Sequence, residues 1–417
     1  MFYLFSLILA GFFAPAQTVS PAQPLNWEEL PLFALPHPPE AEIEPHTGDY
    51  LESLSSSQGV LLVSDWWTFA ENRPEVPHAS ASLTKIATTL AAVESYGVEH
   101  RFETLVKKRG EIREGKLEGD LIIEGGGDPF FVWEDAIALG NALNELGIEE
   151  VTGDLIVTGD FFMNYEDNIS TAANFLQQAF TSQSWSSSIE RQYEKMQEET
   201  SRPQLEILGE TIVTESTEKT DILLRRHSLS LAEILREMNT YSNNAMSELI
   251  AKPLGGGEGV REMVLEVTAL PPEEIQLINA SGLGIENQMS PRAVVKMLRH
   301  LEERMAEKGK TLADLFPVTG EDRGTVRDRA LPKGIPVKTG SLATVSTLAG
   351  VIPTETHGSV YFVIMNQDGS LNEFRQQQNE LLQALAQEWQ ILPLETSSSQ
   401  TLGYSERNIL MNNKLKQ

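Results

Sequence analysis

A chain of 417 residues with 41% apolar side chains is globular in composition and too long for one ordinary core, so two domains are expected. A formal charge of −28 repels nucleic-acid phosphates and anionic lipid alike, which argues against both as partners. The absence of cysteine removes thiol nucleophiles, thiolate metal sites and disulfides together.

The chain opens on an almost unbroken apolar run, Phe2–Phe13, followed by the small-residue site Ala14-Pro15-Ala16. No Lys or Arg precedes the run, yet it has the form of the apolar region and cleavage site of a secretory signal over residues 1–16. It is shorter than the ~20 residues that a membrane-spanning helix needs, so export without an integral membrane span is expected. Residues 17–45, rich in proline and acid, predict an extended linker.

Gly59–Ser64 reads as a strand. Over Ser80–Tyr96, Leu83, Ile86, Ala87, Leu90, Ala91 and Val93 recur at helical spacing, and Gly97 stops the helix. Strand-like pieces at Phe102–Lys107, Leu121–Glu124 and Leu155–Thr158 surround a helix at Trp133–Leu146. Residues 165–221 read as polar and irregular. Helical spacing returns at Ser230–Met238, Asn244–Ala251 and from Pro291 to about Met305. Three strands, Val337–Leu342, Thr347–Ile352 and Val360–Asn366, precede a helix from about Leu371 to Leu392. The tail, 396–417, is polar and aperiodic and predicts disorder. This order implies a mixed helix-and-sheet domain over 46–105 and 223–395, interrupted by an inserted domain over 106–222.

Ser82-Leu83-Thr84-Lys85 sets a hydroxyl and an amine three residues apart at a helix start, on one helical face. The orphan N–H groups there favour an oxyanion. A serine needs a base within hydrogen-bond reach, and a lysine serves if burial or a neighbouring cation lowers its pKa. Alone the spacing says little: Ser216-Thr217-Glu218-Lys219 repeats it in a stretch that reads as a solvated loop. Tyr241-Ser242-Asn243-Asn244 has the form S-x-N, and Ser242 reads equally well as a helix N-cap. Lys338-Thr339-Gly340-Ser341 lies on a strand, where a cation and two hydroxyls can face a carboxylate and Gly340 permits close backbone approach. Gly125–Gly127 and Gly255–Gly257 lack phosphate-loop spacing and read as turns. The seven histidines show no metal-ligand spacing, so neither a metal nor another cofactor is expected.

S-x-x-K, S-x-N and K-T-G in this order form the signature of the penicillin-recognising serine enzymes. The chain resembles the D-alanyl-D-alanine carboxypeptidase/endopeptidase family of penicillin-binding proteins, the DacB-type, class C low-molecular-weight group (peptidase family S13). Gly119-Asp120-Leu121 with Gly125-Gly126-Gly127-Asp128-Pro129, then Val151–Leu155, Ser281-Gly282-Leu283 with Ser290-Pro291, and Leu315–Gly320 with Gly324-Thr325 and Arg329 carry the likeness across about 78–160 and 228–367. It departs at Asn279-Ala280, where an acidic residue and glycine are usual, at Ser341, where threonine is common, and over 165–221.

The resemblance implies a β-lactamase/transpeptidase-like α+β domain, its antiparallel sheet flanked by helices and interrupted by a smaller β-rich insert. It implies a bacterial, periplasmic hydrolase acting on peptidoglycan stem peptides and inhibited by β-lactams. Implied roles are Ser82 as nucleophile, Lys85 as its base, Ser242 as proton relay and Asn244 as a peptide-backbone ligand. Lys338 would keep the field positive, and with Thr339, Gly340 and Ser341 would anchor the substrate carboxylate. The backbone N–H groups of Ser82 and Ser341 would form the oxyanion hole. A β-lactamase or esterase with the same motifs, and a protein that binds penicillin or muropeptides without turnover, stay open at this point.

Overall fold

The computed structural model describes residues 45–392 apart from 56, 197–199 and 216–218. The signal at 1–16, the proline-rich segment up to 44, Ser216–Glu218 of the second S-x-x-K and the tail at 396–417 lie outside the described residues. Pro45, read as the end of the linker, opens the helix Pro45–Glu52.

A five-stranded antiparallel sheet organises the site. Its order is Val337–Leu342, Val345–Thr354, Gly358–Gln367, Gly59–Val63 and Thr68–Asn72. Helices cover both faces, so its central strands are apolar on both. Val60, Leu62, Leu348, Ile352, Phe362 and Ile364 meet Leu381, Leu382, Leu385 and Trp389 of the helix Leu371–Trp389. The alternate residues Leu61, Ala349, Val351, Val363 and Met365 meet the other core, which holds Leu83, Ile86 and Leu90 of the helix Thr84–Tyr96. Each such side chain taken fully out of water contributes roughly 1.5–3 kcal/mol before entropy is counted. A one-residue slip of any strand would exchange the two faces.

Local signals fix the helices around that core. Ser230 and Glu233 close a capping box on the helix Leu231–Tyr241. Ser290 accepts from Ala293 N at 2.9 Å, with Pro291 at the first position of the helix Pro291–Ala306. A small sheet pairs Gln288-Met289 with both Ile275-Gln276 and His78-Ala79. It brackets the loop around Ser281 and sets that loop beside the entry to the Ser82 turn.

Seven further strands between Glu103 and His227 make a second sheet. Asp221–His227, Glu103–Arg113 and Lys116–Gly126 run antiparallel, while Glu150-Val151, Leu155–Asp160, Glu206-Ile207 and Thr211–Val213 add in parallel. Its core joins Val106, Leu121, Ile123 and Val157 to Leu139, Leu143, Leu176 and Phe180 of the helices Trp133–Glu145 and Ile169–Phe180. Helices pack on this sheet, and 165–221, read as irregular, holds helices and short strands. Ile169–Phe180 is an amphipathic helix capped by Asn168 and burying Ala172, Ala173, Leu176, Ala179 and Phe180. Alanines carry much of its apolar face, which is why the polar composition around it hid the period.

Candidate active site

Ser82 lies in the short turn Ala81–Leu83 that leads into the helix Thr84–Tyr96. Ala81 is held at φ 46°, a left-handed conformation that alanine adopts at a cost, and it is fully buried. The turn is clamped from three sides. Ser80 N and Oγ both donate to Asn287 O at 2.9 Å, and Thr347 Oγ1 donates to Ser80 O at 3.0 Å. Gly282, at φ 83°, passes so close that a Cβ there would stand 1.8 Å from Ala81 O. A side chain on Gly340 would in turn stand 2.8 Å from Ser82 N.

One helical turn on, Lys85 is fully buried. Its Nζ donates to Ser82 Oγ at 3.1 Å, to Asn244 Oδ1 at 2.7 Å and to Ser281 O at 2.7 Å. Burial pushes the amine down to about 8, and the nearby Glu248 carboxylate opposes that shift. Glu248 also fixes the loop that holds Lys85, accepting from Ser281 N at 2.9 Å and Ala280 N at 3.1 Å. Thr88 and Ser247 both donate to Ala280 O at 2.7 Å, so the loop has little freedom to move.

Ser242 is not the N-cap that its sequence context suggested. It terminates the helix Leu231–Tyr241 in a left-handed conformation, φ 52° and ψ 43°. Asn243 caps the next helix, Asn244–Ala251, accepting from Met246 N at 3.1 Å. Freed from capping, Ser242 Oγ accepts from Lys338 Nζ at 3.0 Å. Lys338 is 1% exposed and also donates to Thr339 O at 2.9 Å. Burial, and then repulsion by Lys85, hold its pKa well below the usual lysine range.

Val337–Leu342 is an edge strand, and its register says where its donors point. Pro336 O accepts from Val351 N of the neighbouring strand, whereas Val337 N turns outward to Pro317 O. By antiparallel alternation, the N–H groups of Thr339 and Ser341 lie on the open edge with that of Val337. Thr339 Oγ1 donates to Thr325 Oγ1 at 2.8 Å, and Ser341 Oγ accepts from Arg375 Nη2 at 2.9 Å.

The fold thus brings Ser82, Lys85, Ser242, Asn244, Lys338, Thr339, Gly340 and Ser341 into one cluster. Sequence reasoning missed the parts played by Glu248, Thr325 and Arg375. Glu248 had a signal, four residues beyond Asn244 on one helix face. Arg375 had none, because only the closed sheet brings its helix to Ser341. Asn279, noted as a departure, accepts from Gly282 N at 2.8 Å and so braces the loop. Asp128, in the glycine-rich stretch, pairs with buried Arg226 together with Asp135.

Comparison with known proteins adds to this geometry. Residues 41–201 and 169–388 match the model of the D-Ala-D-Ala carboxypeptidase 3 (S13) family. The D-alanyl-D-alanine carboxypeptidase DacB of Haemophilus influenzae is 21% identical over 382 residues, spanning 68% of this chain and 79% of that protein. Among solved structures, a predatory peptidoglycan endopeptidase from Bdellovibrio bacteriovorus superposes with TM-score 0.71 at 20% identity, covering 84% of this chain and 97% of that one. A penicillin G-acylated form of the same protein, in complex with its immunity protein, gives TM-score 0.70 at 21% identity, covering 85% and 98%. Penicillin binding protein 4 (dacB) from Haemophilus influenzae gives TM-score 0.61 at 18% identity, covering 81% and 99%. These structures share the fold, and the family model spans most of the sequence: the chain belongs to the D-Ala-D-Ala carboxypeptidase 3 (S13) family.

Proposed function

We propose that this S13-family carboxypeptidase cleaves the terminal D-alanyl-D-alanine bond of peptidoglycan stem peptides through an acyl-enzyme on Ser82. The observation that carries the reading is a fully buried Lys85 whose Nζ lies 3.1 Å from Ser82 Oγ. With the amine at about 8, roughly a tenth of it is neutral at pH 7. Neutral Lys85 accepts the serine proton as Oγ attacks the carbonyl of the penultimate D-alanine.

The tetrahedral oxyanion lies between the N–H groups of Ser82 and Ser341, a donor of this kind contributing about 3 kcal/mol. The C–N bond then breaks, and Ser242 passes a proton to the departing amine. Asn244 orients the peptide backbone. Lys85 and Lys338 repel one another, so the free site disfavours charging both, and an arriving carboxylate restores the proton affinity of Lys338. Water finally hydrolyses the ester.

The same acyl transfer on a D-alanyl cross-link makes an endopeptidase, the activity named for the Bdellovibrio protein. β-Lactams mimic the D-alanyl terminus and acylate the same serine. No described helix is long and apolar enough to cross a membrane, and the apolar N-terminal run supports export to the periplasm. We take 106–222 as the insert and 46–105 with 223–395 as the catalytic domain, which the separate core of the second sheet supports.

The test is D-alanine release from diacetyl-L-Lys-D-Ala-D-Ala. Wild type releases it, and Ser82→Ala loses at least about 10³-fold in rate. Release by the variant at the wild-type rate contradicts the assignment. Rapid breakdown of penicillin without peptide cleavage would favour a β-lactamase. A stable penicillin adduct with no peptide turnover would favour a binding protein.

A further inference from the structure

On the side away from the edge strand Val337–Leu342, the first sheet ends in the hairpin of Gly59–Val63 and Thr68–Asn72. Its turn is Ser64-Asp65-Trp66-Trp67. Ser64 N donates to Trp67 O at 2.8 Å, and Ser64 Oγ accepts from Trp67 N at 3.2 Å and from Trp66 N at 3.4 Å. Arg299, from the helix Pro291–Ala306, clamps the turn. Its Nη2 donates to Ser64 O at 2.7 Å and pairs with Asp65 Oδ1 at 3.4 Å. The guanidinium is itself seated 5.0 Å from the centroid of the Tyr361 ring. The backbone of the turn is thus fixed, yet Trp66 at its tip is 77% exposed, more than any other large apolar side chain among the described residues.

A tryptophan held in water on a rigid turn is a preformed contact surface, because little freedom is left to lose when a ligand covers the ring. Trp67 and Phe69 are only half-exposed, so the indole stands without an apolar neighbour on the hairpin. Beside it lie the Asp65 carboxylate, 67% exposed, and the Arg299 guanidinium. A protein interface needs a wider apolar patch than one indole. A sugar ring does not. Its C–H face packs on the indole, while its hydroxyl and acetamido groups meet a carboxylate acceptor and a guanidinium donor at the rim. The formal charge of −28, which repels anionic polymers, does not oppose a neutral sugar.

The turn is remote from the nucleophile. Val63 pairs with Tyr361 and Tyr361 with Val351, whereas Ser341 pairs with Ser346. From Val63 to Ser341 the sheet therefore extends roughly 17 Å along its strands and about 14 Å across them. A ligand reaching both places is a polymer that carries the peptide, not the peptide alone. We propose that Trp66, with Asp65 and Arg299 at its rim, binds N-acetylhexosamine rings of the peptidoglycan glycan strand and so holds the enzyme on the polymer while Ser82 works on its peptides. The choice of glycan rests on the peptidase reading above and extends it to the polymer that bears the peptide.

The experiment is co-sedimentation with isolated peptidoglycan sacculi, with and without the tetrasaccharide of β-1,4-linked N-acetylglucosamine as competitor. Trp66→Ala should weaken retention about tenfold, and Trp66→Phe should keep part of it because an aromatic face remains. The tetrasaccharide should displace wild type. The rate of D-alanine release from sacculi, taken as a ratio to that from diacetyl-L-Lys-D-Ala-D-Ala, should fall in Trp66→Ala in step with retention. Equal retention of wild type and Trp66→Ala, or retention that the tetrasaccharide does not displace, overturns the glycan site. Trp66-dependent binding to phosphatidylcholine vesicles without any response to the tetrasaccharide would overturn it in favour of a lipid surface. Retention needs no cleavage, so a wild type that binds sacculi through Trp66 but releases no D-alanine would overturn the peptidase reading and leave the glycan site standing.

Discussion

At the residue level, the proposed chemistry rests on moving one lysine's proton affinity without letting its amine wander. Burial lowers Lys85, and three acceptors fix where its hydrogens point. The base form grows as pH rises through about 8, so kcat/KM for acylation should climb through that region. Glu248 acts in the opposite sense, favouring the charged amine. Glu248→Gln removes that charge, so the rising limb should shift to lower pH. It also leaves Ala280 N or Ser281 N without its carboxylate acceptor, which costs about 1–3 kcal/mol of stability. A pH–rate profile checks both the direction and the size of the shift. An unmoved limb would separate Glu248 from Lys85 and leave it as a loop brace. Of these residues, Ser82 and Lys85 were legible in the sequence because both lie within one helical turn. Ser242 was legible as a motif, but the N-cap reading set beside it fails, since only the backbone angles reveal that Asn243 caps instead.

At the level of elements, the site is where two loops and an edge strand converge on a strained turn. The left-handed Ala81 persists because its surroundings over-determine it: Gly282 on one side, Gly340 on another and Asn287 O beneath Ser80. Gly282→Ala adds a methyl that would stand 1.8 Å from Ala81 O, at a φ of 83° that alanine disfavours. The expected cost is about 2 kcal/mol or more, with at least a tenfold fall in acylation rate measured below the melting temperature. A normal rate with an unchanged melting curve would show that the loop does not hold the nucleophile. Gly59–Val63, Val345–Thr354 and Gly358–Gln367 of the first sheet were readable because each holds an apolar run between turns, whereas the polar edge strand Thr68–Asn72 went unread. Their ends extend beyond the apolar runs, to Val345 and Thr354 in one case and Gly358 and Gln367 in another, because ladder pairing and not hydrophobicity sets where a strand stops. The helix Gly256–Thr268 escaped notice because its first turn is built of glycines.

For the whole molecule, two sheets with separate cores divide the labour. The first, covered by helices on both faces, carries Lys338–Ser341 on its edge strand, while Ser82, Lys85, Ser242 and Asn244 belong to the turn and helices packed beside it. The second holds itself together internally, with Arg226 bonded to both Asp128 and Asp135 in its interior. The order of elements in the chain led to the expectation of an interrupted catalytic domain. It did not foresee the parallel strands of the second sheet, whose short partners, such as Glu206-Ile207, carry too few residues to show a period. Nor did it foresee Arg375, whose distance from Ser341 in sequence is bridged only by the completed sheet and helix. The central claim is that Lys85 activates Ser82 for acyl transfer. The most direct test is intact mass of wild type and Ser82→Ala after brief exposure to benzylpenicillin, with the adduct mapped by proteolysis. The expected result is a gain of one penicilloyl mass on the peptide containing Ser82, absent from the variant. An adduct on another residue, or one that persists in Ser82→Ala, would contradict it.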